Sequence, residues 1–245
     1  MTFSLREHGV DLVLLDIEGT TTPMSFVYDV LFPYARARLA SYAQQHAAEE
    51  ALRDTVATLR VEWLEDVRTG EAPPAWPKGD FAAAAGYLAW LMDRDRKSPS
   101  LKRIQGEIWE TGFRDGALRG DLFSDVAPAF ERWKASGAEI AIYSSGSVQA
   151  QRLIFGHASA GDLTPVISRF FDTAVGPKRS VESYGRIAGE LGRQPQRILF
   201  VSDVAEELNA ALDAGCQILL AVRPGNGPVE GPESLDAISS FDEIV

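Results

Sequence analysis

The spacing of apolar and polar positions changes twice along the chain, and the changes divide it. Residues 10–15 read Val-Asp-Leu-Val-Leu-Leu, an apolar run that stops at Asp16. This density of Val and Leu predicts a strand buried on both faces, as in a parallel sheet. Gly19-Thr20-Thr21-Thr22-Pro23 cannot continue it and predicts a loop. After Pro23 the spacing becomes helical. Val27, Val30, Leu31 and Tyr34 fall at i, i+3, i+4 and i+7, one face of a helix. Residues 39–63 predict one or two further helices. Residues 81–92 and 101–113 are again helical, with a breaker-rich loop at 71–79. No strand pattern interrupts 24–125.

From Val126 strand and helix patterns alternate. Helices are predicted at 126–135, 148–155, 181–191 and 206–214, the last stopped by Gly215. Strands are predicted at 139–143, 170–175, 197–201 and 217–222. They run into Ser144-Ser145-Gly146-Ser147, Gly176-Pro177-Lys178, Ser202-Asp203 and Arg223-Pro224-Gly225-Asn226. The alternation predicts right-handed parallel crossovers and an α/β fold. A helical block placed straight after the first strand reads as an insertion. The expected organisation is a catalytic core of 1–23 and 126–245, with an all-helical cap at 24–125. Two connecting loops would let such a cap move as a lid.

Composition changes this picture little and narrows the partners. The 245 residues allow one large domain or two smaller ones, and 45% hydrophobic with 24% charged residues is ordinary for a globular protein. A formal net charge of −11 argues against nucleic acid or an anionic membrane as partner. No run reaches transmembrane length, and the first eight residues lack a signal core. Cys216 is the single cysteine, which fits a reducing, cytoplasmic location. With no long exposed apolar strand or heptad seam, a monomer is expected.

Candidate chemistry collects at the strand ends, which converge on one edge of a parallel sheet. Asp16 and Glu18 follow the first strand, Ser144 and Ser145 the second, Lys178 the third and Asp203 the fourth. Two acids so close repel unless a cation or a proton lies between them. Asp16 and Asp203 can hold Mg²⁺, which takes carboxylate oxygens, waters and substrate phosphate. Ser144 or Ser145 can donate to phosphate oxygens, and Ser147 caps the following helix, whose positive end favours an anion. Lys178 offsets carboxylate and phosphoryl charge. The set has the parts that phosphoryl transfer needs, with Asp16 as nucleophile. Glu207 reads as a first-turn acid suiting the helix dipole, or as a partner of Lys178 or the metal. Arg223 reads as a loop fastener with reaching substrate as the lesser alternative, and Trp109 as a core residue with a smaller chance of facing substrate. His8, His46 and His157 show no zinc spacing.

This pattern resembles the haloacid dehalogenase superfamily, with one departure: Glu18 stands where the superfamily usually has a second Asp. Residues 16–23, 143–148, 153–157 and 222–226, with 95–97, 101–102, 105–106 and Trp109 in the insertion, resemble the acireductone synthase family more closely. The resemblance implies a Rossmann-like core with a helical cap and one Mg²⁺ per subunit. It implies an enolase-phosphatase of methionine salvage. The substrate would be a small phosphate ester, 2,3-diketo-5-methylthiopentyl-1-phosphate, which is enolised and then dephosphorylated. Asp16 would be nucleophile and metal ligand, and Glu18 acid and base, with its backbone carbonyl on the metal. Asp203 would complete the metal site, and Ser144, Ser145 and Lys178 would hold the phosphate. The main competitor is a phosphatase of the same superfamily acting on another small ester without enolisation. A phospho-accepting receiver or a non-catalytic binding descendant fits less well. A receiver carries its phosphorylated Asp on a later strand, and the full motif set argues for catalysis.

Overall fold

Leu12, Val13, Leu14 and Leu15 are wholly buried and form β1 (Leu12–Leu15). On one side β1 pairs in parallel with β2 (Glu139–Tyr143), and on the other with β4 (Ile198–Ser202), so Leu14 lies between Ala141 and Phe200. β3 (Arg169–Phe171) continues the sheet beyond β2, and β5 (Gln217–Ala221) and β6 (Ala237–Ile238) continue it beyond β4. The order is β3-β2-β1-β4-β5-β6 and every pairing is parallel. The chain thus winds outward from β1 to β3 and returns to the other side of β1. The loops after β1 and β4 flank that reversal, where sheets of this kind take their ligands.

These features come from a computed structural model describing residues 2–46, 49–76, 82–94, 96, 98–227 and 235–245. The chain divides into two units, Met1–Tyr28 with Arg119–Val245, and Asp29–Leu118. The sheet unit carries α5 (Val126–Ala135), α6 (Val148–Gly156), α7 (Val181–Leu191) and α8 (Ala205–Asp213). One core joins Leu12, Leu14 and Tyr143 to Tyr184, Ile187, Phe200 and Leu208. α5 buries Phe130 and Trp133, and the Trp133 indole donates to Ile244 O at 3.1 Å, fastening the end of the chain.

The helical unit comprises α1 (Phe32–Gln45), α2 (Glu50–Arg68), α3 (Ala82–Met92) and α4 (Pro99–Arg114). α4 begins with Ser98 accepting from Leu101 N at 3.1 Å and with Pro at its start. Trp109 is buried inside this unit, and its indole N–H donates to Leu31 O at 2.8 Å. Asp66, also buried, is neutralised by Arg96 at 2.7 Å and takes a hydrogen bond from Tyr87 Oη at 2.5 Å. The expectations at 77–81, Asp95 and Lys97 lie outside the described residues. Among the described residues no helix is long and apolar enough to cross a membrane.

Three elements differ from the expected pattern. The face expected from Val27 to Tyr34 is broken by a π-helical turn, Phe26–Leu31. Its wider winding shifts the phase, so Val27 and Leu31 are buried while Val30 is exposed. The third strand stops at Phe171, because Asp172 accepts from Ala174 N at 2.9 Å and turns the chain. β6 is only two residues long, too short to leave a pattern.

Candidate active site

Beyond β1 the backbone curls around one carbonyl. The N–H groups of Thr20, Thr21 and Thr22 reach Ile17 O at 3.1, 3.0 and 2.9 Å, and Thr21 Oγ1 donates to Asp16 O at 3.2 Å. The curl needs Gly19 at φ +71°, where an added Cβ would lie 2.2 Å from Asp203 Oδ2. It holds the Asp16 carboxylate at the sheet edge, where Oδ1 accepts from Ile17 N at 2.7 Å. Asp16 is buried, and Glu18 retains some exposure.

Lys178 arrives on the loop after β3. Three successive carbonyls of that loop each accept a side-chain hydroxyl. Tyr143 Oη donates to Gly176 O at 2.9 Å, Ser183 Oγ to Pro177 O at 2.8 Å, and Tyr184 Oη to Lys178 O at 2.7 Å. So fastened, Lys178 Nζ lies 2.6 Å from Asp16 Oδ1 and 2.5 Å from Glu207 Oε2. Burial works against its charge, but Asp16 and Glu207 outweigh burial and raise its pKa. The Ser202 hydroxyl lies 3.0 Å from Glu207 Oε2 and 3.3 Å from Asp16 Oδ2, a second bridge between the same two acids.

Ser144, buried at the end of β2, reaches Glu18 Oε2 at 3.4 Å and accepts from Gly146 N at 3.0 Å. Ser145 follows on the same loop and is partly exposed. Gln151 of α6 clamps this loop, donating to Gly146 O at 2.9 Å and Phe171 O at 2.8 Å. Ser147 caps α6 by accepting from Ala150 N at 3.2 Å. Desolvation raises the Glu18 pKa, and the Asp16 charge raises it further against the pull of Lys178. A carboxyl shifted upward is suited to passing protons.

Asp203 stands one residue past β4. Burial first, and the Asp16 charge second, push its pKa to about 7. Glu207 is raised for the same two reasons. Asp16, Glu18, Asp203 and Glu207 thus share one interacting cluster with Lys178 as its cation among the described residues. A divalent cation would relieve that excess of negative charge. Among the described residues no three carboxylate, histidine or cysteine side chains form a cage for a metal on their own. A cluster with two well-placed carboxylates fits Mg²⁺, which keeps waters and takes the remaining oxygens from substrate.

Sequence spacing singled out Asp16, Glu18, Ser144, Ser145, Lys178 and Asp203, all on the loops that follow β1 to β4. It did not find Tyr184, Ser183 or Gln151, which occupy ordinary helical positions, nor the role of Ser202. Arg223 is a fastener: it is buried, donates to Thr20 O at 3.0 Å and Ser239 O at 3.0 Å, and pairs with Asp125 at 2.6 Å.

Residues 10–215 match a family model described as a haloacid dehalogenase-like hydrolase. Enolase-phosphatase E1 of Synechococcus elongatus is 50% identical over 236 residues, 96% of this chain and 98% of that protein. Enolase-phosphatase E1 of Drosophila mojavensis is 45% identical over 242 residues, 97% of this chain and 96% of that protein. Among solved structures, the UTR4 protein of Saccharomyces cerevisiae superposes with a TM-score of 0.79 at 30% identity, covering 95% of this chain and 99% of that one. CbbY from Rhodobacter sphaeroides, solved with phosphate, shares the fold at a TM-score of 0.59 and 18% identity, with 96% of each chain covered.

Proposed function

This chain belongs to the haloacid dehalogenase-like hydrolases and, within them, to the family of the Enolase-phosphatase E1 proteins, and on that premise we propose that it is a Mg²⁺-dependent enolase-phosphatase of methionine salvage. The substrate of this reading is 2,3-diketo-5-methylthiopentyl-1-phosphate, and the products are an acireductone and phosphate. The observation that carries the reading is the Asp16 carboxylate, held at the end of the central strand 2.6 Å from Lys178 Nζ, with Glu18 two residues on.

Asp16 attacks phosphorus in line with the enol oxygen, forming an aspartyl-phosphate while the P–O bond to the enol breaks. Protonated Glu18 gives its proton to that leaving oxygen. The resulting Glu18 carboxylate then takes a proton from water, which attacks the same phosphorus, frees phosphate and restores Asp16. Lys178 keeps the charge of the phosphoryl oxygens balanced, and Ser144 and Ser145 donate to them. Enolisation precedes transfer and moves a carbon-bound proton of the diketone to the adjacent carbonyl oxygen; the Glu18 carboxylate is our candidate to accept it from carbon and pass it on, after which Glu18 takes a proton from solvent. Asp16, Asp203 and the Glu18 carbonyl would hold one Mg²⁺. Bound there, Mg²⁺ supplies Lewis-acid polarisation of phosphoryl or dicarbonyl oxygen. The chain acts as a monomer in this proposal.

The test supplies the diketo phosphate with Mg²⁺ and follows enol absorbance and phosphate release together. An absorbance rise that precedes or accompanies phosphate release supports the proposal. Phosphate released from p-nitrophenyl phosphate, with no enol signal from the diketone, would favour a phosphatase for a different ester.

A further inference from the structure

We propose that Asn226 is a positioning residue of the cation site, its side-chain oxygen accepting a hydrogen bond from a water bound to the cation. The inference rests on the Mg²⁺ dependence proposed above. Asn226 ends the turn after β5, where its N–H bonds Arg223 O at 3.1 Å. Its Nδ2 donates to Gly19 O at 2.9 Å and to Ala221 O at 3.4 Å. Two carbonyl acceptors on one end of the amide fix which end is nitrogen. The other end, Oδ1, is buried and has no donor among the described residues.

That oxygen is aimed at the reacting loop. A Cβ built on Gly19 would lie 3.1 Å from Asn226 Oδ1 and 2.2 Å from Asp203 Oδ2. A neutral amide oxygen and a carboxylate oxygen therefore converge on the same glycine, one residue from Glu18. Both are acceptors, and buried acceptors in native proteins have partners. Mg²⁺ keeps several waters, and each presents its hydrogens away from the metal. A water on a cation held by Asp203 supplies the donor that Oδ1 lacks. The amide nitrogen meanwhile ties down the Gly19 carbonyl, so one side chain sets both the loop and its hydration.

The test is calorimetric titration of the full chain with Mg²⁺ alone, without substrate, alongside thermal melting. Asn226→Ala is expected to weaken Mg²⁺ binding by about 10- to 100-fold, the usual consequence of losing a partner of a metal's ligand shell. Asn226→Asp keeps an acceptor oxygen, adds a negative charge and loses both amide donations, so it melts lower yet binds Mg²⁺ at least as well as wild type. Unchanged affinity in Asn226→Ala, or equal loss in both variants, would reduce Asn226 to a loop fastener and overturn the proposal. If Asn226→Ala does not fold, Asn226→Ser takes its place, because its hydroxyl is too short to reach the water. A wild-type chain that binds no Mg²⁺ sinks the metal dependence itself. A wild-type chain that binds it, with affinity untouched by the Ala or Ser change, sinks only the role of Asn226.

Discussion

Lys178 sits between two carboxylates, one of which is consumed in the proposed reaction. When Asp16 becomes an acyl phosphate, Lys178 faces the phosphoryl oxygens in place of the free carboxylate, and Glu207, 2.5 Å from Nζ, keeps the ammonium paired throughout. Lys178→Met leaves Asp16 and Glu207 facing each other with little solvent between them. Breaking a buried pair in this way costs about 3–5 kcal/mol, which urea denaturation would measure. Adding Glu207→Gln should recover part of that stability without restoring phosphate release. If the single variant is as stable as wild type, the triad is not electrostatically coupled as described.

At the scale of elements, the loops after β1 and β5 and the end of the chain are tied together by Arg223 and Asp125. Asp125 accepts from Arg223 Nη1 at 2.6 Å, Phe241 N at 2.6 Å and Ser240 Oγ at 3.0 Å. Burial alone would raise its pKa, yet the Arg223 and Phe241 hydrogen bonds and the Arg223 charge outweigh burial and lower it from 3.8. A depressed carboxylate contributes stability that is fully present above its unfolded pKa and is lost as pH falls through the folded value. Asp125→Asn should therefore cost about 1–3 kcal/mol near neutral pH, with the gap to wild type closing below pH 3.8. Denaturant melts across that range check it; a gap that widens in acid would contradict the assignment. β1, β2, β4 and β5 were legible because dense apolar runs between breakers have few other readings, and Asp16 and Asp203 because they directly follow such runs. Gln151, Ser183 and Tyr184 were not, because their bonds go to carbonyls of loops on other elements. Asp125 and Arg223 are 98 residues apart, and nothing local marks them as a pair. Val30 was misread for a different reason, since a π turn leaves no mark in a 3.6-residue pattern.

For the whole molecule, the net charge of −11 and an anionic substrate carry the same sign. Their long-range interaction is repulsive, while Lys178 attracts only at close quarters. Raising inert salt from about 0.01 M to 0.15 M shortens the screening length from about 30 Å to 8 Å, so kcat/KM should rise over that range. A fall would mean that the local field of the site governs capture. The sheet order places Asp16 and Asp203 on neighbouring strands at the winding reversal, and the rest of the sheet unit supplies Lys178, Ser144 and Glu18 around them. In the proposed reaction the phosphoryl group passes through Asp16. Acid quenching during turnover, followed by mass spectrometry of the peptide carrying Asp16, shows whether it does. A phosphoryl adduct is expected on Asp16 in wild type and none in Asp16→Asn, with phosphate release slowed roughly 10⁴-fold or more in that variant. An adduct on a different residue, or an Asp16→Asn protein that turns over like wild type, would contradict it.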